Sequence, residues 1–374
     1  MPGSAGHLVS GGLPNKYTML DLDLPNTYET VDPTRIRDSI ADVPRQMREA
    51  YAAARALKVD GRPIRSLTIA GMGDSAIGAE IALGAYAGAL GAPASVVRGY
   101  DLPAWARGGE DVVLAVSHSG NSEEVVACFE EAVRRGCRVV ALSNGGRIAA
   151  RAAELGLPIG SCAPGGRYSA TTGLAGLGVA GALTALGLLP DTAVDAEEAC
   201  AIVEEANRTL GPAVPVMRSS CKRLAGQFMT RVPILLAAGH LAPVARWWKI
   251  QINSTAKMLA LWEELPEFNH GGMMILDTLG AKWPNVMAVS LRAADEHPRV
   301  ALRHVATATL MLEAGMNIDS VRARGQSKLA QAFSLVAYGD WCAYYTAIIA
   351  GIDPAIYGTV PAMDRLKDFL AQAT

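Results

Sequence analysis

The chain has 374 residues, half of them hydrophobic and few aromatic, and a formal net charge of −2. The length allows two ordinary domains. Its Ala, Val, Leu and Gly filling suits helices on parallel strands rather than an all-β fold, and near-neutrality excludes a general polyanion-binding surface, so no nucleic-acid partner is expected.

In chain order, Met1 to Asn15 is rich in Gly, Ser and Pro and lacks a charged-then-apolar leader pattern, so residues 1–25 read as a flexible tail. Residues 26–170 form the first predicted domain. Ile36, Ile40, Val43, Met47 and Tyr51 carry helical spacing. Ser66 to Ala70 is a strand, Gly71 to Gly78 a glycine-rich turn, and a helix runs on to about Ala89. Further strands fall at Ala94 to Arg98, Val112 to Val116, Arg138 to Leu142 and Leu157 to Gly160, with a helix from Ser122 to Arg135. This alternation predicts a parallel sheet covered on both faces. Residues 171–220 read as a helical connector; within it Gly173 to Leu189 is almost wholly apolar but barely long enough to span a bilayer, and predicts a buried helix with no membrane partner. Residues 221–374 form a second alternating domain: strands at Ile234 to Ala238, Val286 to Leu291 and Ile318 to Arg322, and helices at Pro243 to Leu261, Leu329 to Ile349 and Met363 to Ala373.

Cys128, Cys137, Cys162, Cys200, Cys221 and Cys342 are scattered and form no C-x-x-C pair. They read as reduced cysteines of a cytoplasmic protein rather than a disulfide frame. No metal-ligand cluster and no complete dinucleotide fingerprint appears, so neither metal nor organic cofactor is expected.

The strongest chemical signal is Ser117-His118-Ser119-Gly120-Asn121-Ser122, between a strand and a helix. Three hydroxyls can converge there with the first N–H groups of the helix, whose dipole adds partial positive charge; such a cradle holds phosphate without Lys or Arg. The competing reading is an ordinary cap, with Asn121 capping and Glu124 closing a capping box. The turn Gly71-Met72-Gly73-Asp74-Ser75 joins strand to helix in the same way. Trp247, Trp248 and Trp341 read as core.

Together the two turns resemble the sugar-isomerase (SIS) family. Val97-Arg98-Gly99-Tyr100-Asp101-Leu102-Pro103, Trp248-Lys249-Ile250-Gln251-Ile252-Asn253, Glu264-Leu265-Pro266-Glu267-Phe268-Asn269-His270 and Gly339-Asp340-Trp341 look like the bifunctional phosphoglucose/phosphomannose isomerases, in family order from about Asp21 to the last helix. The resemblance implies an α/β protein of two SIS-type domains, each a parallel sheet flanked by helices. It also implies a homodimer with its active site at the subunit interface. Gly73, Ser75, Ser117, Ser119 and Ser122 match phosphate-binding positions, His270 the ring-opening histidine, and Lys367 a C-terminal active-site lysine. Arg167, after Pro164-Gly165-Gly166, matches an active-site arginine a few positions early.

Three positions depart from the family pattern. Sixteen residues before His270, where the family carries its Glu base, stands Ser254, a hydroxyl too weakly basic unless a neighbour activates it. Asn269-His270-Gly271-Gly272 lacks a second customary carboxylate. Asp74 replaces a glycine in the first phosphate turn, where a carboxylate pointing inward would repel a phosphate dianion; Asp74 and Asp277 are substitute-base candidates. The leading expectation is aldose–ketose isomerisation of glucose 6-phosphate or mannose 6-phosphate with fructose 6-phosphate. The alternatives are a non-catalytic phosphosugar sensor and an enzyme for a different phosphosugar.

Overall fold

The computed structural model describes residues 19–161, 171–278, 285–355 and 361–372. Two wholly parallel sheets organise them. The first contains β1 (Ser66–Gly71), β2 (Ala94–Val97), β3 (Asp111–Val116), β4 (Arg138–Leu142) and β5 (Ile159–Gly160) in the order β2-β1-β3-β4-β5. Every residue of β1, β3 and β4 is buried, which explains why they read as unbroken apolar runs. The helices α1 (Pro25–Val31), α2 (Ile36–Ala41) and α3 (Val43–Arg55) precede this sheet; α4 (Gly73–Ala85), α5 (Glu123–Arg134) and α6 (Gly146–Leu155) lie within it. Ala79 and Ala82 of α4 pack with Leu67, Ile69 and Leu114 on one face. Val125, Cys128 and Phe129 of α5 pack with Ala70, Val113 and Ala115 on the other.

The apolar stretch after residue 170 is α7 (Thr171–Ala185), followed by α8 (Ala193–Leu210). Far from being a bare connector, α7 completes the core of the first sheet, with Val179, Ala182 and Leu183 buried beside Val140 and Leu142. Its small residues permit this: a Cβ on Gly181 would stand 2.7 Å from the Tyr51 carbonyl oxygen of α3, and one on Gly176 would meet the Phe333 ring. No described helix is long and apolar enough to cross a membrane. Three ion pairs tie α3 to α8 and the turn before it: Arg48 to Glu197 and Glu204, and Arg55 to Asp191.

The second sheet holds β6 (Val232–Ala238), β7 (Leu261–Leu265), β8 (Val286–Arg292) and β9 (Asn317–Arg322) in the order β7-β6-β8-β9. Around it lie α9 (Ser220–Phe228), α10 (Ala242–Ser254), α11 (Pro298–Glu313), α12 (Lys328–Ile349) and α13 (Pro361–Gln372). Buried Trp247, Trp248 and Trp341 knit α10 to α12 as core residues: the Trp247 indole donates to Asp340 at 2.8 Å, and the Trp248 indole donates to the Leu335 carbonyl at 2.7 Å.

The structure corrects several expectations. Residues 19–24 belong to the fold rather than to a free tail. Leu22 is buried, the Leu20 N–H donates to the Ile349 carbonyl, and Lys222 donates to the Leu22 carbonyl at 3.2 Å. The predicted helix to Leu261 ends at Ser254, and Leu261 opens β7, an edge strand whose outward Glu263 and Glu264 hid its period. Helix α11 was not anticipated, because its apolar residues are not confined to one stripe. Helix α4 starts at Gly73 rather than after Gly78. The free cysteines among the described residues are Cys128, Cys137, Cys200, Cys221 and Cys342; Cys162 lies outside them.

Candidate functional site

In the first sheet the strand order reverses between β1 and β3. Their last residues, Gly71 and Val116, are register partners, so both glycine–serine turns leave the sheet side by side. With α4 and α5 on opposite faces, the two turns flank that switch point, the ordinary ligand position of an open α/β sheet.

Gly73 opens α4 with φ +48°, a backbone that favours glycine. Ser75 lies in the first turn and is buried. Ser117 is also buried, and its Oγ–H donates to Ser122 Oγ at 3.2 Å. Ser119 Oγ accepts from the Asn121 N–H. Gly120 reverses the chain at φ +68°; a Cβ there would land on the Gly145 carbonyl and 2.7 Å from Ser143 Oγ. Four candidate hydroxyls therefore sit on two adjacent turns. The simple capping reading does not hold. Ser122 occupies the cap position of α5 with no side-chain capping bond, while Asn121 Oδ1 accepts from the Arg147 N–H of α6. Among the described residues the first N–H groups of α5 have no side-chain acceptor, although Glu123 and Glu124 also use its dipole.

His118, within the same turn, has a buried Nε2 with no hydrogen-bond partner among the described residues. Burial lowers its pKa below the ordinary imidazole value, so the ring favours the neutral form.

Ser254 is the last residue of α10, and its Oγ–H donates to the Ile250 carbonyl at 2.8 Å. Helix α10 runs antiparallel to α4. Gly84 lies against His240, and Glu80 takes two hydrogen bonds from Arg246. Nearer the start of α4, the Asp74 charge acts on Asp340, which holds Trp247. The C-terminal end of α10 therefore points toward the N-terminal end of α4, the end that carries Gly73 and Ser75. Asp340 is wholly buried, and desolvation, with Asp74 adding to it, pushes its carboxyl well above the usual range. It is the site neighbour that sequence reading used only as part of a motif.

His270 follows β7 on an exposed segment. Its neighbour Asn269 is fixed to α11, donating to Thr307 Oγ1 at 2.8 Å and accepting from Arg303 at 3.1 Å. Among the described residues, no hydrogen bond joins the His270 side chain to either serine turn. Gly272 suits its place, since a Cβ would strike the buried Phe268 ring. Asp277 is exposed. Glu264 is pushed upward mainly by burial, with Arg246 opposing. Arg167 and the side chain of Lys367, on α13, lie outside the described residues. No three described His, Cys, Asp or Glu side chains cluster as metal ligands.

Comparison with known proteins fits this layout. Residues 218–370 match the bacterial phospho-glucose isomerase C-terminal SIS domain. A bifunctional phosphoglucose/phosphomannose isomerase of Caldicellulosiruptor bescii is 27% identical over 90% of this chain and 98% of its own. One from Aquifex aeolicus is 28% identical over 83% and 92%. This chain is a homologue of the bifunctional phosphoglucose/phosphomannose isomerases. Among solved structures, a glucose-6-phosphate isomerase like protein from Thermus thermophilus superimposes with a TM-score of 0.60 at 21% identity, covering 94% of this chain and 99% of that one. Tagatose-6-phosphate ketose/aldose isomerase from Escherichia coli gives 0.63 at 16% identity, covering 92% and 98%. These two share its fold.

Proposed function

We propose that this homologue is an aldose–ketose isomerase interconverting glucose 6-phosphate or mannose 6-phosphate with fructose 6-phosphate, acting in the cytoplasm as a homodimer with its active site at the subunit interface. The observation that carries the reading is the pair of serine turns opening side by side from Gly71 and Val116, in a chain whose relatives bear that activity in their names. Ser75, Ser117, Ser119, Ser122 and the N–H groups around Gly73 hold the phosphate. His270 moves the proton that opens the sugar ring, and Lys367 and Arg167 bind the sugar oxygens. The C2 proton of the aldose is then removed to give an enediol and returned to C1. Nothing is oxidised or reduced overall, so the chemistry calls for no redox cofactor. With Ser254 at the usual Glu position, the C2 proton leaves through water, which costs about 10²- to 10⁴-fold in rate against a positioned general base.

The bond from Ser254 to Ile250 favours a second reading, a phosphosugar sensor that binds without turnover. Proton exchange in heavy water at C2 of glucose 6-phosphate, with calorimetric binding of fructose 6-phosphate alongside, separates the two. Exchange above the uncatalysed background supports the isomerase. Binding with no exchange leaves the sensor, and no binding overturns both.

A further inference from the structure

Helix α11 is buried along one face and exposes apolar side chains along the opposite one. His304, Thr307 and Met311 are buried against the rest of the fold. On the other side Leu302, Val305 and Leu312 are 54%, 56% and 58% exposed, and Ala306 and Thr309 are exposed between them. At 3.6 residues per turn, Leu302, Val305, Ala306 and Thr309 form one continuous stripe. A surface helix ordinarily turns charged and polar residues to solvent, so the outer stripe calls for a cover, and among the described residues no part of the chain supplies one.

Charge at its two ends points to the cover. Arg299 and Glu313 are both exposed, and among the described residues neither side chain makes an ion pair. Each stands seven residues from Ala306. We infer that α11 pairs with α11 of a second copy of this chain, antiparallel across a twofold axis passing near Ala306. That single operation sets Arg299 against Glu313 of the partner subunit twice, and Leu302 against Leu310 of the partner subunit. A small residue at the crossing lets the two backbones approach closely. The contact is self-complementary, as a twofold interface must be.

This inference rests on the homodimer of the proposed function and assigns it a surface. It also bears on the site, because Arg303 and Thr307 of the same helix hold Asn269. The paired helices fix where each His270 lies relative to the second copy.

Sedimentation equilibrium on the full chain tests the pairing. The wild type is expected to be a dimer, and Leu302→Asp a monomer at the same concentration with an unchanged far-ultraviolet spectrum. Arg299→Glu and Glu313→Arg should each raise the dimer dissociation constant ~10-fold, and the double swap should return it to within ~3-fold of wild type. A monomeric wild type overturns the inference, as does a Leu302→Asp dimer of undiminished affinity or a double swap no better than the singles. Isomerase activity is assayed separately. An active wild type whose dimer ignores these substitutions refutes only the surface; an inactive wild type that obeys them refutes only the isomerase.

Discussion

The Ser254 hydroxyl donates to the Ile250 carbonyl one helical turn behind it. A hydroxyl so engaged directs its proton to a backbone carbonyl rather than to a base, and it stands at the end of α10 that points toward the N-terminal end of α4. Ser254→Glu restores a carboxylate at that end. It is expected to raise C2 proton exchange on glucose 6-phosphate by about 10²-fold or more, read by proton NMR in heavy water. Unchanged exchange in a variant that still binds fructose 6-phosphate would show that the base position lies elsewhere.

Ser117 and Ser122 share a hydrogen bond at 3.2 Å on the turn that leaves β3 at the switch point. Hydrogen bonds to charged groups are stronger than neutral ones, so Ser117→Ala or Ser122→Ala should each weaken fructose 6-phosphate binding ~10-fold or more. Calorimetry measures this, and equal affinity for the variants would remove the turn from the phosphate site.

Gly120→Ala tests the turn's backbone. The positive φ and the collision with Gly145 together are expected to cost about 3 kcal/mol in urea unfolding and to abolish sugar-phosphate binding even under conditions where the variant remains folded. A variant as stable as wild type would show that residues 143–145 yield easily.

His304 gives a pH prediction. Its Nδ1 lies 2.7 Å from Ser290 Oγ, with Glu296 and Arg292 alongside, and burial lowers its pKa to about 4. The unfolded chain takes up this proton near the ordinary value of about 6.5, the folded chain only near 4. Between those values the unfolded state holds more protons, so stability falls as pH drops through the window and is recovered as it rises. Burial of His118 and His240 acts in the same direction. His304→Asn should flatten the curve of urea midpoint against pH between about 6.5 and 4; a curve parallel to wild type would mean that His304 does not contribute.

Asp340 should be sensitive to the loss of its acceptor rather than of its charge. Asp340→Ala leaves the Trp247 indole N–H unpaired in the core and is expected to cost about 3 kcal/mol. Asp340→Asn keeps an acceptor and should cost about 1 kcal/mol or less. Equal losses in urea unfolding would argue that packing, not the hydrogen bond, sets the role of Asp340.

The sequence and the structure agree best where burial is complete. β1, β3 and β4 read as strands because both faces are covered, and the Ser117–Ser122 turn stood out because three hydroxyls flank one glycine. β7 was missed because an edge strand tolerates Glu263 and Glu264, and α11 because Leu302 and Val305 face outward while His304 faces inward. The departures at Ser254 and Gly272 were visible as letters. Their surroundings were not: the bond to Ile250 and the Phe268 ring beneath Gly272 depend on residues brought together by folding. The same holds for Asp74 and Asp340, which are far apart in the chain.

Helix α7 roofs one face of the first sheet although it follows all five strands of that sheet in the chain. During synthesis the strands must therefore wait, with Val140 and Leu142 uncovered, until residues beyond 170 have left the ribosome. A gene fragment ending at residue 170 would encode a sheet that lacks the α7 part of its cover and is prone to aggregate, and extending it through the end of α7 would add that part. The cover of the first sheet is thus completed past its last strand, inside the segment that first looked like a mere link.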